Sequence, residues 1–126
     1  LIDTSAVSKY LDGRFTENGL SFMDAIFSEA PNLSVITKIE LLSWVTTEAE
    51  LFKKVEIFVE DSVLFELSSA IIDETISLRR KYKIKTPDAI IAATALANGL
   101  ALVTDNDKDF ANIKALKVIN PNTYIP

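Results

Sequence analysis

The stretch TPDAIIAATALANGLALVT, residues 86–104, leaves this chain few ways to fold. Thr86 suits an N-cap, Pro87 the first helical position and Asn98-Gly99 a C-terminal stop, so a helix is predicted between them. LALVT follows at once as a short apolar run, the pattern of a buried strand. The rest of the sequence repeats this alternation. LID opens the chain and passes into a helical TSAVSKYL. NGLSFMDAIFSEA places Phe22, Ile26, Phe27 and Ala30 at helical spacing. NLSVIT reads as a strand, KIELLSWVTT and EAELFKKVEIFV as helices, and SVLFEL as a further strand. SAIIDETISLRRKY has Ile72 and Ile76 in amphipathic spacing before a cationic end, and a short helix around DFANI precedes a last strand at LKVIN.

Strands alternating with helices imply an α/β fold: a parallel sheet covered on both faces, with the ligand site beyond the carboxyl ends of the strands. No repeat, low-complexity tract or Gly/Ser linker interrupts the 126 residues, so residues 1–126 are expected to form a single domain. Only Leu1 and Ile2 precede Asp3, short for a strand, and the first residue is not methionine; a few residues are expected to precede it in the natural chain.

The chain has no cysteine and no histidine. Disulfides and thiolate metal sites are thereby excluded, and so are the usual general base and the usual zinc ligand. Hydrolytic chemistry would have to run on carboxylates and hard metals. The longest apolar runs are far too short to span a bilayer, and nothing at the start looks like a signal peptide, so a soluble, cytoplasmic protein is expected. An apolar fraction of 48% in so short a chain suggests an interface with a second copy or a partner. The formal net charge of −5 matches nucleic acid poorly unless cations or a local basic patch intervene. One patch exists, RRKYKIK from Arg79 to Lys85, which reads equally as a solvated helix end whose cations complement the dipole.

Each acidic residue of interest has an ordinary structural explanation. Asp3 can cap the first helix, as can Thr4 or Ser5. Thr37 to Glu40 fits a capping box. Asp88 would sit at the second helical position, where the dipole favours an anion, and TDNDKDF, holding Asp105, Asn106, Asp107 and Asp109, can be a polar turn capping the next helix. What weakens these explanations together is convergence, because the predicted topology gathers the acids at the carboxyl side of the sheet. Carboxylates held close raise each other's pKa unless a divalent cation neutralises them. Mg2+, with Mn2+ as the alternative, suits a few carboxylates plus waters and leaves positions for phosphate oxygens. Such an ion would acidify an attacking water and stabilise the leaving oxygen of a phosphodiester.

LIDTS, TKIELL, TPDAIIAATALANGLALVT and TDNDKDF, in this order and spacing, resemble the PIN-domain ribonucleases, and within them the VapC-type toxins of prokaryotic toxin–antitoxin pairs. The likeness covers nearly the whole chain. It implies a three-layer α/β/α sandwich around a central parallel sheet, with Asp3, Glu40 and Asp88 as catalytic, metal-binding acids. The fourth position falls on Asn106, with Asp105, Asp107 or Asp109 supplying the charge that Asn106 lacks; Asp109 is taken as catalytic and Asp105 as metal-binding. Thr104 and Ser5 would support the site, Ser5 standing where DTN is the commoner start. The resemblance also implies RNA cleavage, a homodimer and a VapB-type antitoxin across the groove, with Arg79, Arg80 and Lys81 helping to guide RNA. Trp44, Phe22 and Phe27 read as core or interface aromatics.

The rival in a different class is a PIN-like module that binds RNA or protein without cutting. Three mutually repelling acids argue against it. A haloacid-dehalogenase-like phosphatase needs a second aspartate two residues after the first, where Ser5 stands, and a receiver domain needs an early acidic pair and a phosphoacceptor aspartate after the third strand.

Overall fold

The computed structural model describes residues 1–126. Seven helices and four short strands alternate: α1 (Thr4–Leu11), α2 (Glu17–Phe27), β1 (Asn32–Ser34), α3 (Val35–Leu42), α4 (Ala49–Asp61), β2 (Val63–Phe65), α5 (Ser69–Lys81), α6 (Thr86–Ala97), β3 (Leu102–Val103), α7 (Asp107–Phe110) and β4 (Val118–Ile119), closed by a 3-10 turn at Pro121–Thr123. No helix is long and apolar enough to cross a membrane.

Parallel pairing joins β1 to β2 and β3 to β4. The opening residues weld the two pairs together. Ile2 N–H donates to the Asn32 carbonyl at 3.0 Å on one side, while on the other Val103 N–H donates to the Leu1 carbonyl at 2.8 Å and Asp3 N–H to the Val103 carbonyl at 3.0 Å. The sheet order is therefore β2, β1, residues 1–3, β3, β4. The chain starts in the middle, builds outward one way, then returns to build outward the other way. That reversal is the switch point at which open parallel sheets leave a crevice beyond their carboxyl ends.

The pleat sends successive side chains to opposite faces, and the core divides accordingly. Leu1 and Leu102 join Ile71, Leu78, Ile91, Ala92 and Phe110 beneath α5, α6 and α7. Ile2 and Val103 join Val7, Met23, Leu33, Leu41 and Val55 beneath α1 to α4. The three-layer α/β/α sandwich with a central parallel sheet is present as expected. Helix α6 buries Ala89, Ile91, Ala92, Ala93, Thr94 and Ala95, and its small residues let it lie close to the sheet.

Several local expectations are corrected. The strands are two or three residues long, and residues 1–3 contribute only a single bridge between Ile2 and Val103. NLSVIT is extended only to Ser34, whose hydroxyl accepts from Ile36 N–H at 2.9 Å and starts α3 there. Thr37 is thus a buried residue inside α3, and the capping box at Thr37–Glu40 does not form. Helix α6 begins one residue early, with Lys85 at the N-cap and Thr86 inside the first turn, so Asp88 occupies the third helical position. The Asn98-Gly99 stop is as expected. Gly99 has φ 63°, its N–H reaches the Leu96 carbonyl, and Leu100 N–H reaches the Ala95 carbonyl at 2.9 Å, which closes the helix end.

Candidate active site

Asp3 ends the central segment and is 5% exposed. Its Oδ1 accepts from Ala6 N–H at 3.1 Å, so it caps α1 as the sequence suggests, and from the Ser5 hydroxyl at 2.7 Å. Its Oδ2 accepts a short hydrogen bond from the Thr104 hydroxyl at the end of β3. That contact crosses the switch point. The cap and the site are one residue: the same carboxylate stops α1 and ties the two halves of the sheet together. Burial is the main reason its pKa is raised; the hydrogen bonds from Thr104, Ser5 and Ala6 oppose that, and the nearby charge of Asp88 adds to it.

Glu40 projects from the last turn of α3 and is exposed. Rather than capping its own helix it accepts from the Thr4 hydroxyl at 2.7 Å, next to Asp3. Asp88, half-buried in the first turn of α6, has its pKa raised by burial first, then by the charges of Asp109 and Glu40, with Lys85 opposing. Asp3, Glu40, Asp88 and Asp109 are thus brought from four separate segments to one end of the sheet.

The three aspartates of DNDKD have three different surroundings. Asp105 Oδ1 is paired with Lys9 Nζ at 3.1 Å, and Asp107 Oδ1 accepts from Asn120 Nδ2 at 3.1 Å. The exposed Asp109 is left as the member whose charge acts on Asp88. The charge of Asp105, expected among the metal-binding acids, is matched by an ammonium from α1. Asn106 is exposed at the N-cap of α7, where its side chain caps nothing, while its N–H donates to the Thr104 hydroxyl at 3.0 Å. Thr104 is fully buried and serves Asp3 and the turn together; Ser5 Oγ likewise accepts from Asp105 N–H at 3.1 Å. Both residues thus touch Asp3 and the acidic turn at once.

Arg79, Arg80 and Lys81 form the exposed last turn of α5. Since only residues 82–85 join α5 to α6, these cations lie toward the same end as Asp88. Arg79 Nε donates to the Ile84 carbonyl at 3.3 Å, and Lys81 Nζ lies 5.6 Å from the centroid of the Tyr82 ring. Beside Glu40, a cavity of about 370 Å³ runs past Thr4, Leu41, Leu51 and Val55 to Trp44. Of the aromatics, Phe27 stacks on Phe58 and Phe22 packs against Tyr124, whereas Trp44 is 45% exposed. The sequence reading missed Thr4 and Lys9. Thr4 was visible only as a possible cap, and nothing local marks Lys9, whose partner is 96 residues away.

Among known families, the one described as PIN domain matches residues 1–116. The chain belongs to the PIN-domain family. Solved structures similar to this PIN domain include a toxin–antitoxin complex from Klebsiella pneumoniae, at 27% identity, a TM-score of 0.76 and 95% of each chain covered. A DNA-bound VapBC complex from Salmonella typhimurium aligns at 21% identity and TM-score 0.78, over 95% of this chain and 96% of that one. FitAcB from Neisseria gonorrhoeae aligns at 20% identity and TM-score 0.78, over 98% of both. Comparison with curated protein sequences gives no match.

Proposed function

We propose that this PIN domain is a metal-dependent endoribonuclease, the toxin half of a VapC-type pair, with Asp3, Glu40 and Asp88 holding Mg2+ or Mn2+ and Asp109 as the fourth acid. The observation that carries the reading is the gathering of acids from separate elements at one end of the sheet, where burial first and then the charges of Asp109 on α7 and Glu40 on α3 raise the pKa of Asp88. A fold gains no stability from that crowding, whereas a divalent cation turns it into an attraction.

The donor set fits a hard cation, since every candidate ligand is a carboxylate oxygen. No three acids close into a ready-made cage. Mg2+ does not need one, because it keeps several waters and uses one or two carboxylates directly. Bound there, it supplies Lewis-acid stabilisation of phosphoryl charge and acidifies a water for in-line attack. The chain's own residues do the rest. Thr104 and Ser5 hold both oxygens of Asp3, Thr4 orients Glu40, and Asn106 offers a free amide to phosphate or water. In this reading Asp109, whose charge acts on Asp88, accepts the proton of the attacking water.

RNA as substrate, a VapB-type antitoxin as partner, a homodimer and cytoplasmic residence belong to the same reading. Support for a protein interface comes from Ile39, Leu42, Trp44 and Val45, exposed together at the end of α3, with Val45 at 92%. The complexes formed by similar structures point the same way.

The test is thermal melting with and without millimolar Mn2+ or Mg2+, followed by incubation with a mixed RNA substrate. A metal-dependent rise with cleavage supports the proposal; no rise and no cleavage leaves a non-catalytic RNA- or protein-binding module. Glu40→Gln keeps an oxygen for Thr4, so its melting temperature should stay within the few degrees that about 1 kcal/mol represents, while calorimetry shows weaker Mn2+ binding. Unchanged Mn2+ affinity would remove Glu40 from the site. Arg80→Ala with Lys81→Ala should weaken RNA binding and reduce the slope of log K against log salt by about 1.4, roughly 0.7 per cation on a single strand; an unaltered slope returns this turn to a solvated helix end.

A further inference from the structure

Lys9 belongs to none of the site motifs, yet its side chain is only 15% exposed and its ammonium has two partners. It pairs with Asp105 Oδ1 at 3.1 Å and lies 5.2 Å from the centroid of the buried Phe15 ring. A half-buried lysine held between a ring and a carboxylate has little freedom to reorient, unlike an exposed ion pair. Its partner is the first residue of the acidic turn. Around that residue the contacts form a closed loop: Lys9 and Ser5 on α1 hold Asp105 by side chain and backbone, Ser5 also holds Asp3, and Thr104 links Asp3 to Asn106 N–H.

We propose that Lys9 is a positioning residue for the acidic site. Its ammonium clamps Asp105 to α1 and thereby fixes the turn from Thr104 to Asp109, keeping Thr104 on Asp3 and Asp109 beside Asp88. The same ion pair matches the charge of Asp105, whereas Asp109 is exposed and in no ion pair. The inference rests on the metal-dependent reading above, but the clamp itself has a readout that needs neither metal nor RNA.

The experiment compares wild-type protein with Lys9→Met, Lys9→Arg, Asp105→Asn and the Lys9→Met/Asp105→Asn pair. Three quantities are measured: amide hydrogen exchange at Asp105 and Asn106 without metal, Mn2+ affinity by calorimetry, and kcat and KM for RNA cleavage. Lys9→Met should speed exchange at both amides, lower Mn2+ affinity about tenfold, as loss of an outer support for metal ligands does, and lower kcat with KM unchanged. Lys9→Arg should restore all three, and adding Asp105→Asn to Lys9→Met should cost little more. Unchanged exchange with unchanged or raised Mn2+ affinity overturns the proposal, even if the melting temperature falls, because Lys9 is then only a structural ion pair. A raised KM at constant kcat overturns it in favour of direct RNA contact, and additive losses in the pair overturn it by separating Lys9 from Asp105. Wild-type protein that binds no Mn2+ would instead sink the metal-dependent reading, and the exchange data would still decide the clamp.

Discussion

Asp88→Asn is expected to reduce RNA cleavage by at least about a hundredfold, the scale on which loss of one group stabilising transition-state charge is felt, without destabilising the metal-free protein. Two local effects compete. The dipole of α6 favours an anion in the first turn by about 0.3–1 kcal/mol, whereas burial and the charges of Asp109 and Glu40 disfavour it. The raised pKa is the balance of these, and its direction says that the uncharged form suits the site better. A neutral amide of the same shape should therefore melt at the same or a higher temperature at pH 7.5. Wild-type protein should gain about 2.7 kcal/mol at a metal concentration 100 times Kd, and the variant should gain much less. A marked fall in the melting temperature of metal-free Asp88→Asn would mean that the carboxylate is there to serve the helix.

The same groups set a pH dependence. Asp3 and Asp88 both have folded pKa values above the ordinary 3.8. The folded state holds their protons more tightly than the unfolded chain, so the stability they contribute is fully present below 3.8 and is lost as pH rises through the folded values. In metal-free buffer this contribution makes wild-type protein lose stability across that window. Asp88→Asn should lose less, which melting curves at closely spaced pH values would reveal.

Replacing Asp3 should separate cap from chemistry. Asp3→Ala removes the oxygen that Ala6 N–H uses, at a typical cost of about 1 kcal/mol for a lost cap. It also removes the carboxylate to which the fully buried Thr104 hydroxyl donates, for roughly another 1–3 kcal/mol. A lowered denaturant midpoint and loss of cleavage are expected together. Asp3→Asn keeps an oxygen for the α1 cap and offers an amide to Thr104 Oγ, so it should recover much of the stability while cleavage stays absent. Cleavage by Asp3→Asn at the wild-type rate would show that Asp3 is a cap and nothing more.

The sequence by itself determined the alternation of strands and helices, the three-layer architecture, the α6 stop at Gly99 and the chain order of the acids. These follow from short-range chemistry: apolar periodicity, a proline at a helix start, a glycine with φ 63° at a helix end. Caps were harder to read, because neighbouring residues compete for them. Ser34 captured the start of α3 ahead of Thr37, and Lys85 rather than Thr86 took the N-cap of α6. Only the tertiary structure decided what each acid faces. In DNDKD three aspartates are equivalent by local rules, yet Lys9 claims Asp105, Asn120 claims Asp107, and Asp109 remains beside Asp88. Those partners come from elements brought together by the sheet, up to 96 residues away in the Lys9 pair and 101 in the Thr104 hydrogen bond to Asp3. A carboxylate's charge, protonation and availability to a cation are set by what lies within a few ångströms of it, and that neighbourhood exists only once the chain has folded.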